Sequence, residues 1–99
     1  MPVHNRQQAL SVLHATKPGL DRFGVRELSL FGSFARDDML AESDVDVLID
    51  FNQTPDFRTY LEVRDALALA LGRPVDLVMV GAVKPRMRRE IEREAVRVA

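Results

Sequence analysis

Two short groupings in this 99-residue chain have the residue types and spacing for phosphate chemistry: Gly32-Ser33-Phe34-Ala35-Arg36 and, after ten intervening residues from the serine, Asp44-Val45-Asp46. Apolar runs flank them, Leu28-Ser29-Leu30-Phe31 before and Val47-Leu48-Ile49-Asp50-Phe51 after, which predicts a strand, a turn with a short helix, and a second strand. A strand that breaks at Gly32 and enters a helix at Ser33 leaves backbone N–H groups free at the helix start, where the dipole favours an anion. Gly32 has no Cβ, so a phosphate can approach the backbone, and the Ser33 hydroxyl can donate a further hydrogen bond. A plain helix cap at Ser33 is the competing reading of the same pair.

The aspartates add the second half of the chemistry. In an extended strand Asp44 and Asp46 project from one face, while Val45, Val47, Ile49 and Phe51 project from the other. Two carboxylates this close repel each other and raise each other's pKa unless a cation lies between them. Oxygen-only donors suit Mg2+, which takes its remaining ligands from water and substrate phosphates. A turn into the strand would account for Ser43-Asp44, but it leaves Asp46 without a reason to interrupt an apolar run. A third acid, Asp76, is the only charge in Pro74-Val75-Asp76-Leu77-Val78-Met79-Val80. If that β-rich run lies beside the Asp44 strand, Asp76 joins the pair and completes a site for two metal ions and in-line displacement at phosphorus. Asp76 is then also the candidate base for the attacking hydroxyl. Read alone, it is a solvated residue at a strand end.

Arg36 has two readings. Its planar fork matches phosphate oxygens, and it equally suits a surface pair with Asp37, Asp38 or Glu42.

The pattern Gly-Ser, ten residues, Asp-x-Asp, and a third Asp on a later strand resembles the DNA polymerase beta-like nucleotidyltransferase superfamily. The chain looks like its smallest members, the minimal nucleotidyltransferase (MNT) domain proteins, among them the MntA-type antitoxins that pair with HEPN toxins. The likeness runs through Gly32–Arg36, Ser43–Leu48, Val75–Val78 and a closing helix from Lys84-Pro85 to Ala95-Val96. It implies an α/β (α+β) nucleotidyltransferase fold, with a small mixed sheet of three to four strands and helices packed on it. It also implies ATP bound at Gly32, Ser33 and Arg36, and Mg2+, two ions, on Asp44, Asp46 and Asp76. The implied reaction moves AMP to a tyrosine hydroxyl of a HEPN-type toxin, with the partner protein supplying the acceptor surface in a hetero-oligomer. One departure stands out: many relatives carry glycine after the Ala-Arg pair, and here Asp37 follows. A toxin-binding module without catalysis, and transfer to RNA or a small molecule, are the alternatives.

The surrounding chain must position these groups. Its composition, 46% hydrophobic and 29% charged, is that of an ordinary globular domain, and its length fits one domain over residues 1–99 with a small core. A formal charge of −1 gives no general attraction to nucleic acid or membranes. The absence of cysteine rules out disulfides and thiolate metal sites and fits a reducing cytoplasm, the expected location. The N-terminus has no apolar signal core, and Ala66 to Leu71, the longest apolar run, is too short to span a bilayer. Helical spacing predicts a first helix over 5–15, ended by Lys17-Pro18-Gly19, with His4 and His14 as surface residues. Strand Val25–Phe31 follows it. A supporting helix is predicted over 57–71, stopped by Gly72 and Pro74. The last helix, from Pro85, is predicted to bury Met87, Ile91 and Ala95. From Lys84 onward six basic residues face three acidic ones, either a solvated helix face or a basic side that steers ATP or an acidic partner.

Overall fold

The computed structural model describes residues 2–98; Met1 and Ala99, the ends of the expected 1–99 domain, lie outside the described residues. Helix α1 (Arg6–Leu20) is capped by Asn5, whose side chain accepts from the Gln8 N–H at 2.8 Å. It runs five residues past the predicted end, through Pro18 and Gly19, because Leu20 is buried in the core and its burial outweighs the hydrogen bond that proline removes. A single 3-10 turn over Asp21–Phe23 and the left-handed Gly24 then lead into strand β1 (Val25–Phe31).

Helix α2 (Gly32–Arg36) is too short to hold itself, and its fully buried Phe34, with Ala35, pins it to the core. Strand β2 (Val45–Phe51) alternates as predicted: Val45, Val47 and Ile49 are buried, while Asp46, Leu48 and Asp50 are only partly so. Helix α3 (Phe57–Leu71) begins at Asp56, which accepts from the Thr59 N–H at 2.7 Å, and ends at the left-handed Gly72. Strand β3 (Val75–Met79), helix α4 (Pro85–Glu94) and the two-residue strand β4 (Val96–Arg97) complete the fold.

The sheet is mixed, in the order β3-β2-β1-β4. β1 lies antiparallel to β2 and β4, and β2 lies parallel to β3 across the α3 crossover. Its core is made by Leu13 of α1, Leu28 and Leu30 of β1, Phe34, Val47, Ile49, and Val63 and Leu67 of α3, all fully buried. Each such side chain contributes about 1.5–3 kcal/mol by leaving water. Among the described residues no helix is long and apolar enough to cross a membrane.

The closing segment departs from expectation. α4 buries no residue: Met87 is 52% exposed, and Ile91 is only partly covered. Ala95 is extended and outside the helix, and Val96 pairs with Leu30 as part of a strand. The Glu and Arg side chains that make up most of α4 leave it too polar to enter the core, and the free edge of β1 draws the chain that follows into the sheet.

Candidate active site

The strand directions decide which residues meet. The C-terminal end of β1 and the N-terminal ends of β2 and β3 fall at the same end of the sheet. In register, Phe31 pairs with Asp46, and Asp46 with Asp76. The two aspartates are thus cross-strand neighbours, one residue away from the Gly32 turn. Asp44 stands at the entry to the same strand, before the Val45–Val75 pair. The predicted set Gly32, Ser33, Arg36, Asp44, Asp46 and Asp76 therefore gathers at one rim.

Gly32 has φ +71, a left-handed conformation that disfavours any side chain. A Cβ built there would stand 2.0 Å from Asp46 Oδ2. The backbone conformation and the Asp46 carboxylate thus both favour glycine here. The residue before α2 in the capping position is Phe31, and no side chain caps the helix, so Ser33 is not an N-cap. Ser33 is half-buried as the second residue of α2.

Asp46 is half-buried, whereas Asp44 and Asp76 are exposed. Burial, then the nearby charges of Asp76 and Asp44, push the Asp46 carboxyl up to about 6, with Arg36 opposing the rise. Strain of this kind between carboxylates is what a cation relieves. As the side chains stand, no three carboxylate, imidazole or thiolate groups among the described residues are gathered closely enough to hold a metal ion. The donor set nevertheless fits Mg2+, being all carboxylate oxygen and sharing one rim, and a bound ion would have to draw the three groups together.

Arg36 reaches Asp38 at 3.2 Å, a surface pair that one of its two readings gives, and Glu94 at 3.1 Å, an unforeseen partner. The other Glu94 oxygen accepts from the Gly32 N–H at 3.0 Å. Sequence reasoning missed Glu94, although it had a signal: Glu94 lies in line with the apolar Met87 and Ile91 of α4 at i, i+4, i+7.

Asp37, the departure from glycine, adopts φ 62 as the C-cap of α2. Aspartate tolerates this region better than most residues. Its carboxylate accepts from the Arg6 N–H at 2.9 Å, and the Arg6 guanidinium donates to the Ala35 carbonyl at 3.2 Å, so α1 and α2 are tied together.

A second residue had no sequence signal. Arg73, between Gly72 and Pro74, donates to the carbonyls of Val3 (2.6 Å), Ala41 (2.7 Å) and Ser43 (3.2 Å). Its guanidinium also lies 5.2 Å from the centre of the Phe34 ring. It fixes the loop that delivers Asp44. His4 and His14 are exposed, as expected.

A family model described as a nucleotidyltransferase domain matches residues 17–98. The protein adenylyltransferase MntA of Thermococcus cleftensis is 42% identical over 89 residues, which are 89% of this chain and 90% of that protein. A solved structure described as a candidate minimal nucleotidyltransferase superposes with a TM-score of 0.73 at 31% identity, covering 88% of this chain and 93% of that one. A solved complex of a tri-AMPylated Shewanella oneidensis HEPN toxin with an MNT antitoxin gives a TM-score of 0.66 at 19% identity, covering 91% of this chain and 71% of that chain. That last likeness speaks to the fold alone. With the sheet order, the Gly32 turn set against Asp46, and a match running from 17 to 98, the chain belongs to the nucleotidyltransferase-domain family, as a minimal member similar to the MntA protein adenylyltransferases.

Proposed function

We propose that residues 1–99 act as one nucleotidyltransferase domain that moves AMP from ATP to a tyrosine hydroxyl of a HEPN-type toxin, silencing it as an antitoxin. The observation that carries this reading is the packing of Asp46 against the Gly32 turn with Asp76 beside it in register, in a chain 42% identical to a protein adenylyltransferase.

The residues divide the work. Gly32 and Ser33 hold triphosphate oxygens through backbone N–H groups and the serine hydroxyl, and Arg36 adds charge on the same side. Asp44, Asp46 and Asp76 would hold Mg2+, two ions, which supplies charge neutralisation for the triphosphate and lowers the pKa of the attacking hydroxyl. Asp76, exposed like Asp44 but lying on the outer strand, takes the proton of the tyrosine hydroxyl. As that oxygen bonds to the α-phosphorus, the bond to pyrophosphate breaks and pyrophosphate leaves.

Intact mass spectrometry of a HEPN-type toxin after incubation with this chain, ATP and Mg2+ tests the reading, with Asp44→Asn as control. Gain of whole AMP units with the unmutated chain alone is the expected result. Co-purification of the two proteins without an adduct would replace catalysis with contact inhibition.

A further inference from the structure

We propose that Glu94 is a self-ligand of the phosphate turn, a carboxylate latch that nucleotide must displace before it can seat. This rests on the reading that Gly32 and Arg36 receive phosphate. Both groups already hold one anion: Glu94 Oε1 accepts from the Gly32 N–H at 3.0 Å and Oε2 from the Arg36 guanidinium at 3.1 Å. The pair of contacts is the one a phosphate would make, with two oxygens of a single anionic group on a backbone amide and a guanidinium.

Two further observations favour a latch over a fixed brace. Glu94 is the last residue of α4, which buries none of its side chains, so lifting it sacrifices little apolar burial. Glu94 also adds negative charge to the surroundings of Asp46, where Asp44 and Asp76 already repel. Departure of the carboxylate therefore opens the amide, leaves Arg36 paired with Asp38 alone, and lowers the negative potential that an incoming triphosphate meets. Ala95 is extended, and β4 beyond it is held to β1 by the Ser29–Arg97 and Leu30–Val96 pairs, giving α4 an anchor about which its end can lift.

The cost to nucleotide binding follows from population arithmetic. A latch closed in roughly nine molecules of ten weakens apparent affinity about tenfold. Calorimetric titration with inorganic tripolyphosphate, with and without Mg2+, reads this without depending on AMP transfer. Glu94→Gln and Glu94→Ala are each expected to bind about three- to tenfold more tightly than the unmutated chain. In the unmutated chain the Gly32 amide proton resonance should move on saturation, and amide exchange in α4 should quicken. Unchanged or weaker binding in both variants, with folding intact by circular dichroism, would overturn the latch and make Glu94 a brace for Arg36. Tighter binding in the variants, with no AMP transfer to the toxin by the unmutated chain, would keep the latch and sink the proposed reaction. Transfer with unchanged affinities would do the reverse.

Discussion

The carboxylate of Asp46 occupies the space that a side chain on Gly32 would need, with Oδ2 2.0 Å from the position of a Cβ there. The Gly32 turn and Asp46 are therefore one packed unit. Gly32→Ala would add a left-handed strain to a collision that only movement of Asp46 relieves. We expect a loss of about 1–3 kcal/mol in stability, read by urea denaturation. Transfer of AMP should fall about a hundredfold or more, since an ångström of misplacement in a catalytic group has that effect.

Asp46 itself stabilises the metal-free fold better when protonated. Its carboxyl is raised from an ordinary 3.8 to about 6, so its favourable contribution is complete below the unfolded value and fades as pH climbs from about 4 through about 6. Asp46→Asn should therefore unfold at higher denaturant than the unmutated chain at pH 7.5 in EDTA. A gain of about 1 kcal/mol is expected, less than the full shift implies because the group is only half-buried. The two chains should converge toward pH 4, and an equal gap at both pH values would contradict the assignment. The same variant should lack transfer activity.

Asp37 offers a test of a backbone exception. Asp37→Ala keeps the left-handed position and removes the acceptor for the Arg6 N–H, so it should cost about 1–2 kcal/mol. Asp37→Gly removes the same acceptor but relieves the backbone, and should stay within about 0.5 kcal/mol of the parent. Thermal melts of the three chains at one pH decide it.

Arg73 should matter out of proportion to its place between two helix- and strand-breaking residues. Arg73→Ala leaves three carbonyls without their donor, and we expect a loss of about 1–3 kcal/mol by denaturant titration. Arg73→Lys cannot reproduce the fork and should recover only part of it. Because Ala41 and Ser43 lie just before Asp44, transfer should drop further than the stability loss at assay temperature explains.

Much of the site was legible because strand geometry is periodic. Alternation in β2 assigns Asp46 to the face opposite Val45, Val47 and Ile49, and the crossover length allows β3 to lie parallel beside it. The end of α3 was equally plain, since Gly72 carries its C-cap, while the capping by Asp56 emerges only in the structure. Other features depend on long-range contacts. The extension of α1 through Pro18 rests on the burial of Leu20, which no local rule weighs against proline. The strand after α4 exists only because β1 has an edge to offer. Arg73 acts on carbonyls 30, 32 and 70 positions away, and carbonyls carry no sequence signature. Glu94 was readable in part, as an acid on an otherwise apolar stripe, but its partner lies 62 residues earlier.

The position of β4 at the outer edge of the sheet has a consequence for synthesis of the chain. A nascent polypeptide emerges from its N-terminus, so β1, α2, β2 and β3 are all available before Glu94 and β4 exist. Through that interval β1, which leads into the Gly32 turn, presents an open edge to whatever strand is nearby. Val96 and Arg97 cover that edge at Leu30 and Ser29, beside the turn, at the same moment that Glu94 becomes able to reach Gly32. Protection of the growing chain from edge-to-edge association and occupation of its anion-binding amide thus arrive together, in the last few residues translated of those described.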